Sequence, residues 1–193
     1  MDEEQTSLRE RLVDAGVELV LAEGSGAVGL REIARRAGVS HGAPRRYFAT
    51  HRELLSAVAR RGFEELGRRF AGVRAEGARG QLEGVAREYL AFAAERRGMF
   101  ELMFRHDLLS SDGREPEGPR LRESTGPLFG GMAGLVAECT GDGERAPVAA
   151  AALWANLHGL AQLQGWGSVE LMLGAGREDA LLEAVLVAHL GER

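Results

Sequence analysis

The sequence predicts an all-α protein of about nine helices. Apolar residues recur at three- and four-residue intervals along most of the chain, which is the period of a helix face. No run of β-branched residues alternates with polar ones as it would in a strand. At 193 residues, 45% of them hydrophobic, the chain is long enough for one ordinary domain or two small ones.

Four helices are predicted within the first seventy or so residues. They cover residues 7–23, residues 30–37, a segment that begins near Ser40, and residues 51–71. Ser7 with Glu10, and Thr50 with Glu53, have the spacing of capping boxes that open the first and fourth helices. Gly24 and Gly38 end the first and second. Pro44 requires that the third helix begin close to it, because proline is tolerated only near a first turn.

The rest of the chain predicts a second helical module. A glycine-rich stretch at 72–84 marks the change, and helical spacing resumes from Leu82 to Arg97. A short apolar segment at 98–105, a polar loop at 106–119, helices at 119–140, 146–166 and 177–190, and a linker at 167–176 complete the chain. We therefore divide the chain into residues 1–52, a linking helix at 51–71, and residues 72–193.

Positive charge is concentrated near the N-terminus. The formal net charge is −5, yet residues 31–61 contain eight arginines and two glutamates, about +6. All 24 basic residues are arginine, whose planar fork suits phosphate or carboxylate. The pattern indicates a patch that binds anions, with a solvated helix face as the alternative.

Residues 30–48 have the pattern of a helix-turn-helix. Ala34 is small enough for two helices to approach, and Gly38 allows a tight turn between them. The second helix would expose His41, Arg45 and Arg46, whose donors can reach guanine edges or phosphates. This pattern predicts DNA binding.

The same region resembles the N-terminal domain of the TetR family of bacterial transcriptional regulators, from RLVDAGVELVLAEG through FATHRELLSAV. The resemblance implies a recognition helix at 40–47. The predicted DNA contacts are Arg31, Ser40, His41, Gly42, Arg45, Arg46, Tyr47 and His51. Three positions depart from the family: Gly29 replaces a threonine, Arg45 a tyrosine and His51 a lysine, so operator sequence is expected to differ more than DNA binding itself.

A second motif, GSGAVG at 24–29, matches the glycine pattern of dinucleotide-binding loops. Helical periodicity precedes it and no strands follow it, so no parallel sheet exists to hold a dinucleotide. The glycines are interpreted as the bend between the first two helices.

The C-terminal module carries aromatic and methionine side chains that can line an apolar cavity or simply pack a core. Trp154, His158 and Gln162 recur at four-residue spacing and share a helix face. With Gly159, the segment resembles the Trp-His-Gly (WHG) class of TetR C-terminal domains, which implies ligand binding and dimerisation through helices near 146–166 and 177–190. The predicted ligand residues are Phe92, Phe100, Met103, Phe104, Phe129, Met132, Trp154, His158 and Gln162.

These observations predict a dimeric regulator, a repressor released from operator DNA by a largely apolar small molecule. No cofactor, metal site or catalytic residue is predicted, because the five histidines lack metal-ligand spacing and Cys139 is the only cysteine. We also expect a cytoplasmic protein with no membrane span. Two alternatives remain: a helical enzyme with His158 as general base, and a helical module that binds an acidic protein.

Overall fold

A computed structural model describes residues 2–105, 109 and 121–191. The elements are α1 (Asp2–Glu23), α2 (Leu30–Arg36), α3 (His51–Gly72), α4 (Gly77–Glu95), α5 (Arg97–Met103), α6 (Leu121–Thr140), α7 (Ala146–Gly165), α8 (Ser168–Leu173) and α9 (Glu178–Leu190), with 3-10 helices at Ser25–Ala27 and Ala43–Arg46. Nine α-helices and no strand in the described residues confirm the predicted all-α class.

The helices form two compact units. The headpiece comprises Met1–Glu65 and Arg96–Ser124, and the body comprises Leu66–Glu95 and Thr125–Arg193. The division falls within α3, and α5 belongs to the headpiece although the sequence grouped it with the C-terminal module. Each unit has its own apolar core. The sequence-based domain boundary at residue 72 stays a prediction.

Local signals determine where the first two helices end. Gly24 has φ 86° and donates its N–H to the Val20 carbonyl at 2.9 Å. Gly38 has φ 68°, and beyond it the Val39 N–H donates to the Ala34 carbonyl at 3.0 Å. Glycine adopts such φ values without steric cost, so both predicted ends are confirmed.

The predicted start of the first helix is wrong, since α1 begins at Asp2 rather than at residue 7. The stretch from residue 2 to residue 7 contains no proline or glycine, the residues that most disfavour a helix interior, so the backbone can be helical before Ser7.

The start of α3 follows the predicted capping box. The Glu53 N–H donates to Thr50 Oγ1 at 3.2 Å. The Glu53 carboxylate returns the interaction by accepting the Ala49 N–H at 2.9 Å, one residue before the backbone group of the standard box.

The predicted recognition helix at 40–47 is wrong in extent. Its only regular part is the 3-10 helix Ala43–Arg46, which begins after Gly42 with no side-chain cap, so Ser40 does not cap it. The Ala43 N–H donates to the Ser40 carbonyl at 2.9 Å. Pro44 lacks the N–H that would continue an α-helical ladder, and Gly42 weakens helix formation just before it.

The glycine-rich stretch is also more ordered than predicted, because α4 already begins at Gly77. A Cβ on Gly84 would lie 2.5 Å from Val73 Cγ1, and one on Gly80 would lie 3.3 Å from Ala75 Cβ. The short connector before α4 therefore packs back onto the helix, and glycine leaves room for it.

The predicted linker at 167–176 contains the six-residue helix α8. Gly167 (φ 73°) and Gly174 (φ 78°) flank it, and buried Val169 anchors it. The predicted loop at 106–119 lies outside the described residues except for Leu109, which is buried and accepts a hydrogen bond from Ser56 Oγ at 3.1 Å.

Replacing Gly29 by serine is expected to stabilise the protein. Gly29 is the N-cap of α2, with φ −89° and ψ 146°, and a Cβ there would meet nothing within 4 Å. Serine adds an oxygen that accepts a first-turn N–H and reduces the freedom of the unfolded chain, together about 0.5–1 kcal/mol. Thermal unfolding by circular dichroism should place Gly29→Ser above Gly29→Ala, which adds the Cβ without the oxygen. Equal melting temperatures would contradict the capping argument.

Candidate DNA interface and ligand cluster

The first helix holds the helix-turn-helix in place. The Arg9 guanidinium lies over the ring of buried Phe48, 4.8 Å from its centroid. Arg11 Nη2 donates to the Ala37 carbonyl at 2.8 Å, at the end of α2. Pro44 is buried as well, so the recognition segment, residues 40–47, has a fixed inner side.

Several headpiece arginines are paired with carboxylates. Arg35 Nε donates to Glu32 at 2.9 Å, and this hydrogen bond lowers the pKa of Glu32. The other pairs are Arg36 with Glu23 at 3.2 Å, Arg60 with Glu64 at 3.6 Å, and Arg61 with Asp14 at 3.6 Å. At least four of the eight arginines in the basic stretch are therefore paired with carboxylates within the headpiece.

Three arginines in the same stretch behave differently. Arg31, Arg45 and Arg46 are exposed, and none makes an ion pair or hydrogen bond with another described residue. Exposed His41 likewise has no such partner in the described part of the chain. Their donors are available to an external anion such as a DNA phosphate or to a guanine edge.

The remaining predicted DNA residues differ in exposure. Ser40 and Gly42 are exposed, whereas Tyr47 is half-buried. His51 lies 2.6 Å through Nε2 from the Val28 carbonyl, to which that nitrogen donates. The contact ties the start of α3 to the segment before α2, so His51 has a structural partner that the sequence did not indicate.

The body contains a polar cluster between α4 and α7. The Tyr89 hydroxyl lies 2.8 Å from His158 Nδ1, and the Trp154 ring is 5.6 Å from the imidazole. Burial raises the pKa of Tyr89, while a hydrogen bond with Trp154 opposes the shift. Burial also lowers the pKa of His158, so the imidazole is neutral near pH 7 and Nδ1 can accept a hydrogen bond from the Tyr89 hydroxyl. Tyr89 is not among the ligand residues predicted from the sequence.

The other predicted ligand residues are divided between the two units. In the body, Phe92 is fully buried, Met132 and Gln162 are half-buried, and Phe129 is exposed. Arg69 lies 5.3 Å from the Phe92 ring centroid.

Phe100, Met103 and Phe104 pack in the headpiece. Phe104 meets Phe63 and Phe100 edge-on, at centroid distances of 5.6 and 5.0 Å. Met103 lies against Gly62, where a Cβ would be 2.5 Å from its sulfur. All three residues therefore take part in headpiece packing.

The His158 imidazole should make stability depend on pH. Burial lowers the pKa of His158 in the folded state. As the pH falls through about 6.5, the histidine is therefore protonated in the unfolded chain before it is protonated in the folded chain, and the folded state loses stability. Between pH values of about 7.5 and 5.5, the melting temperature of wild type should fall more than that of His158→Gln, which keeps a hydrogen-bonding group beside Tyr89. Parallel pH profiles of the two proteins would contradict this assignment.

No helix in the described ranges is long and apolar enough to cross a membrane. The same part of the chain contains no group of three or more histidine, cysteine, aspartate or glutamate side chains that could hold a metal ion.

The helix-turn-helix, with exposed arginines that have no partner within the described ranges, defines a DNA-binding protein. Residues 12–58 match the family model for bacterial regulatory proteins of the tetR family, and residues 82–189 match the tetracyclin repressor-like C-terminal domain. The chain belongs to the TetR family and is a DNA-binding transcriptional regulator.

Solved structures share the fold over nearly the whole chain. A protein of unknown function from Rhodococcus sp. RHA1 is 26% identical, covers 95% of this chain and 93% of its own, and has a TM-score of 0.75. A transcriptional regulator from Rhodococcus sp. RHA1 is 24% identical, with coverages of 94% and 95% and a TM-score of 0.68. RolR in complex with resorcinol is 21% identical, with coverages of 98% and 90% and a TM-score of 0.68. A search of curated proteins found no significant match.

Proposed function

We propose that this protein is a homodimeric repressor that leaves its operator when a small, uncharged, largely apolar molecule binds. The observation that supports DNA binding through this surface is the set of exposed arginines at 31, 45 and 46, which have no ion pair or hydrogen bond with another described residue, whereas Arg36 and Arg61 of the same unit are paired with carboxylates. Family membership indicates the class of protein, a DNA-binding regulator, and these three arginines support the choice of contact surface.

The recognition segment would enter the major groove. Arg45 and Arg46 can each make a bidentate contact to guanine or meet a phosphate. His41 and Arg31 would extend the contact, with Ser40, Gly42, Tyr47 and His51 beside the DNA backbone. Because the regular part of the segment is one short 3-10 helix, few side chains can read bases, and the two adjacent arginines carry most of the recognition.

The body would form the dimer through α7 and α9. No aspartate, glutamate or arginine occurs in the twenty residues of α7, although 27% of the chain is charged. Ala151, Ala155 and Gly159 are exposed at four-residue spacing on α7, so they form one face. A dimer would place two recognition segments about 34–36 Å apart, on successive major grooves of a palindromic site.

The effector would bind near the Tyr89, Trp154 and His158 cluster. These side chains, with Gln162, offer hydrogen bonds from neutral groups beside apolar surface, which favours an uncharged ligand over an ionic one. RolR, which shares the fold, binds resorcinol, a small ligand of this chemical type. The predicted contacts at Phe92, Phe129 and Met132 would complete this site.

The headpiece has a close helix contact through which an effector could act. A Cβ on Gly98 of α5 would lie 2.6 Å from the Val20 carbonyl oxygen of α1, so the two backbones are in direct contact. Ser25 Oγ donates to Glu101 at 3.2 Å at the same junction. Phe100, Met103 and Phe104 stay predicted ligand contacts within this unit. Effector binding would release the operator by favouring an arrangement of the dimer in which the two recognition segments no longer match adjacent grooves.

The test is fluorescence anisotropy with labelled duplex from the DNA that flanks the gene, measured over a salt series with nonspecific competitor. We expect tight, competitor-resistant binding that weakens as salt rises. Addition of small phenols and other neutral aromatic compounds should then release the duplex at a saturable concentration. Absence of binding to any genomic duplex at low salt would refute the regulator at this surface, whereas binding that no such compound reverses would refute only the effector class.

A further inference from the structure

The body exposes a group of large apolar side chains on and just before α8. Trp166 is 65% exposed, Leu171 88%, Met172 63% and Leu173 49%. We call these four residues the α8 patch. A concentration of large exposed apolar side chains of this kind marks a site where another molecule docks.

The patch is presented by ordered structure. Buried Val169 anchors α8, and the Leu171 N–H donates to the Gly167 carbonyl at 3.1 Å. The Gly174 N–H donates to the Glu170 carbonyl at 2.9 Å and ends the helix. With Val169 turned inward, the following residues of the short helix face outward.

The charge of this surface favours a second copy of the same chain. Glu170 is the only ionisable residue of α8, and neighbouring α7 contains no acidic residue and no arginine. A two-fold axis brings the same surface of each subunit together, so a charged patch would face a patch of the same charge and be repelled by it. An uncharged patch meets itself without that repulsion.

The exposed face of α7 provides limited area by itself. Val148 and Leu163 are 76% and 37% exposed, but Ala151, Ala155 and Gly159 between them have small side chains, which allow close approach of a partner helix. A standard interface buries roughly 800 Å² on each partner. Because α8 directly follows α7 and is in contact with it, the large side chains of the α8 patch extend the exposed apolar surface beyond the end of α7 and can supply further area.

We propose that the α8 patch is an arm of the dimer interface that packs against the partner subunit and provides much of its stability. The proposal rests on the homodimer of the proposed function. It assigns dimer stability to a segment outside the two long helices on which that dimer was predicted.

Sedimentation equilibrium of the full chain tests the assignment. Leu171→Asp with Met172→Asp should raise the dimer Kd on the order of 100-fold, because an isologous interface contains each change twice and each tenfold step needs only about 1.4 kcal/mol. Leu21→Asp is the matched control, since Leu21 is 44% exposed in the headpiece and should leave the Kd unchanged. Circular dichroism shows whether each variant remains folded.

A second measurement follows the patch without disturbing it. The chain has two tryptophans, so in a Trp154→Phe background Trp166 is the sole indole. Acrylamide should quench its emission less in the dimer than in the diluted monomer. An unchanged Kd for the double variant, or a Trp166 equally quenched in both states, would overturn the proposal and leave the patch to a different protein or a lipid surface.

Failure of the dimer itself has a different signature. Ala155→Asp places a charge on the exposed face of α7. If it dissociates the dimer while the patch variant does not, the α8 proposal is wrong and the dimer stands. If wild type remains monomeric even on operator duplex, the proposed homodimer is wrong and the α8 proposal falls with it.

Discussion

Replacing Arg45 and Arg46 together by alanine is expected to weaken operator binding by about 1,000-fold or more. An arginine that contacts guanine bidentately contributes about 1–3 kcal/mol, and a dimer loses four such side chains, so at least about 4 kcal/mol is lost. Both side chains are exposed and unpaired among the described residues, so their removal leaves no buried carboxylate without a partner. Anisotropy with the flanking duplex measures the loss directly.

The salt dependence of the variant separates two roles for these arginines. If they meet phosphates, the slope of log K against log salt should become shallower by about 0.9 for each lost contact. If they read guanine, the slope should change less while affinity for the operator falls toward that for random duplex. Either result assigns binding to the recognition segment.

The control removes the same charge from the body. Arg145 and Arg177 are exposed, and Arg145 forms a surface ion pair with Asp142 at 3.8 Å. Arg145→Ala with Arg177→Ala should change operator affinity by no more than about threefold, because exposed charges outside the recognition segment are screened by salt. An equal loss in the control would show that binding depends on overall charge and would contradict the assignment to the recognition segment.

Signals that act within a few residues were predictable from the sequence. The glycines at 24 and 38 end helices because they adopt positive φ, and Thr50 with Glu53 opens α3. The recognition segment was the exception, since Pro44 and Gly42 break the ladder that the helical pattern favoured. There the family resemblance implied a helix over 40–47, whereas the regular structure is the 3-10 helix Ala43–Arg46.

Contacts between distant residues could not be predicted in the same way. Arg36 pairs with Glu23 and Arg61 with Asp14, so the sequence showed eight arginines but not which were compensated. Tyr89 and His158 are 69 residues apart, and their hydrogen bond depends on how α4 and α7 pack. The division of the predicted ligand residues between headpiece and body has the same origin, because helical periodicity reports which face is apolar and not what that face meets.

Phe92 and Phe129 show how this ambiguity can be resolved. The sequence assigned both rings to the ligand site, yet Phe92 is fully buried beneath Arg69 whereas Phe129 is 38% exposed. Phe92→Ala should destabilise the body by about 3–5 kcal/mol, since the change removes a buried ring and leaves a cavity. At about 2–4 °C for each kcal/mol in a protein of this size, the melting temperature should fall by about 6–20 °C.

Phe129→Ala is the matched control, because the same group is removed from a site that retains solvent contact. We expect it to cost less than about 1 kcal/mol, because little apolar area is lost and no closed cavity forms. For the response to an effector, we expect the order of the two variants to be reversed. Phe129→Ala should weaken ligand-induced release of the operator while leaving stability nearly unchanged. If Phe92→Ala instead keeps the wild-type melting temperature and loses the effector response, Phe92 lines the ligand site and its burial reflects a closed, empty pocket rather than core packing.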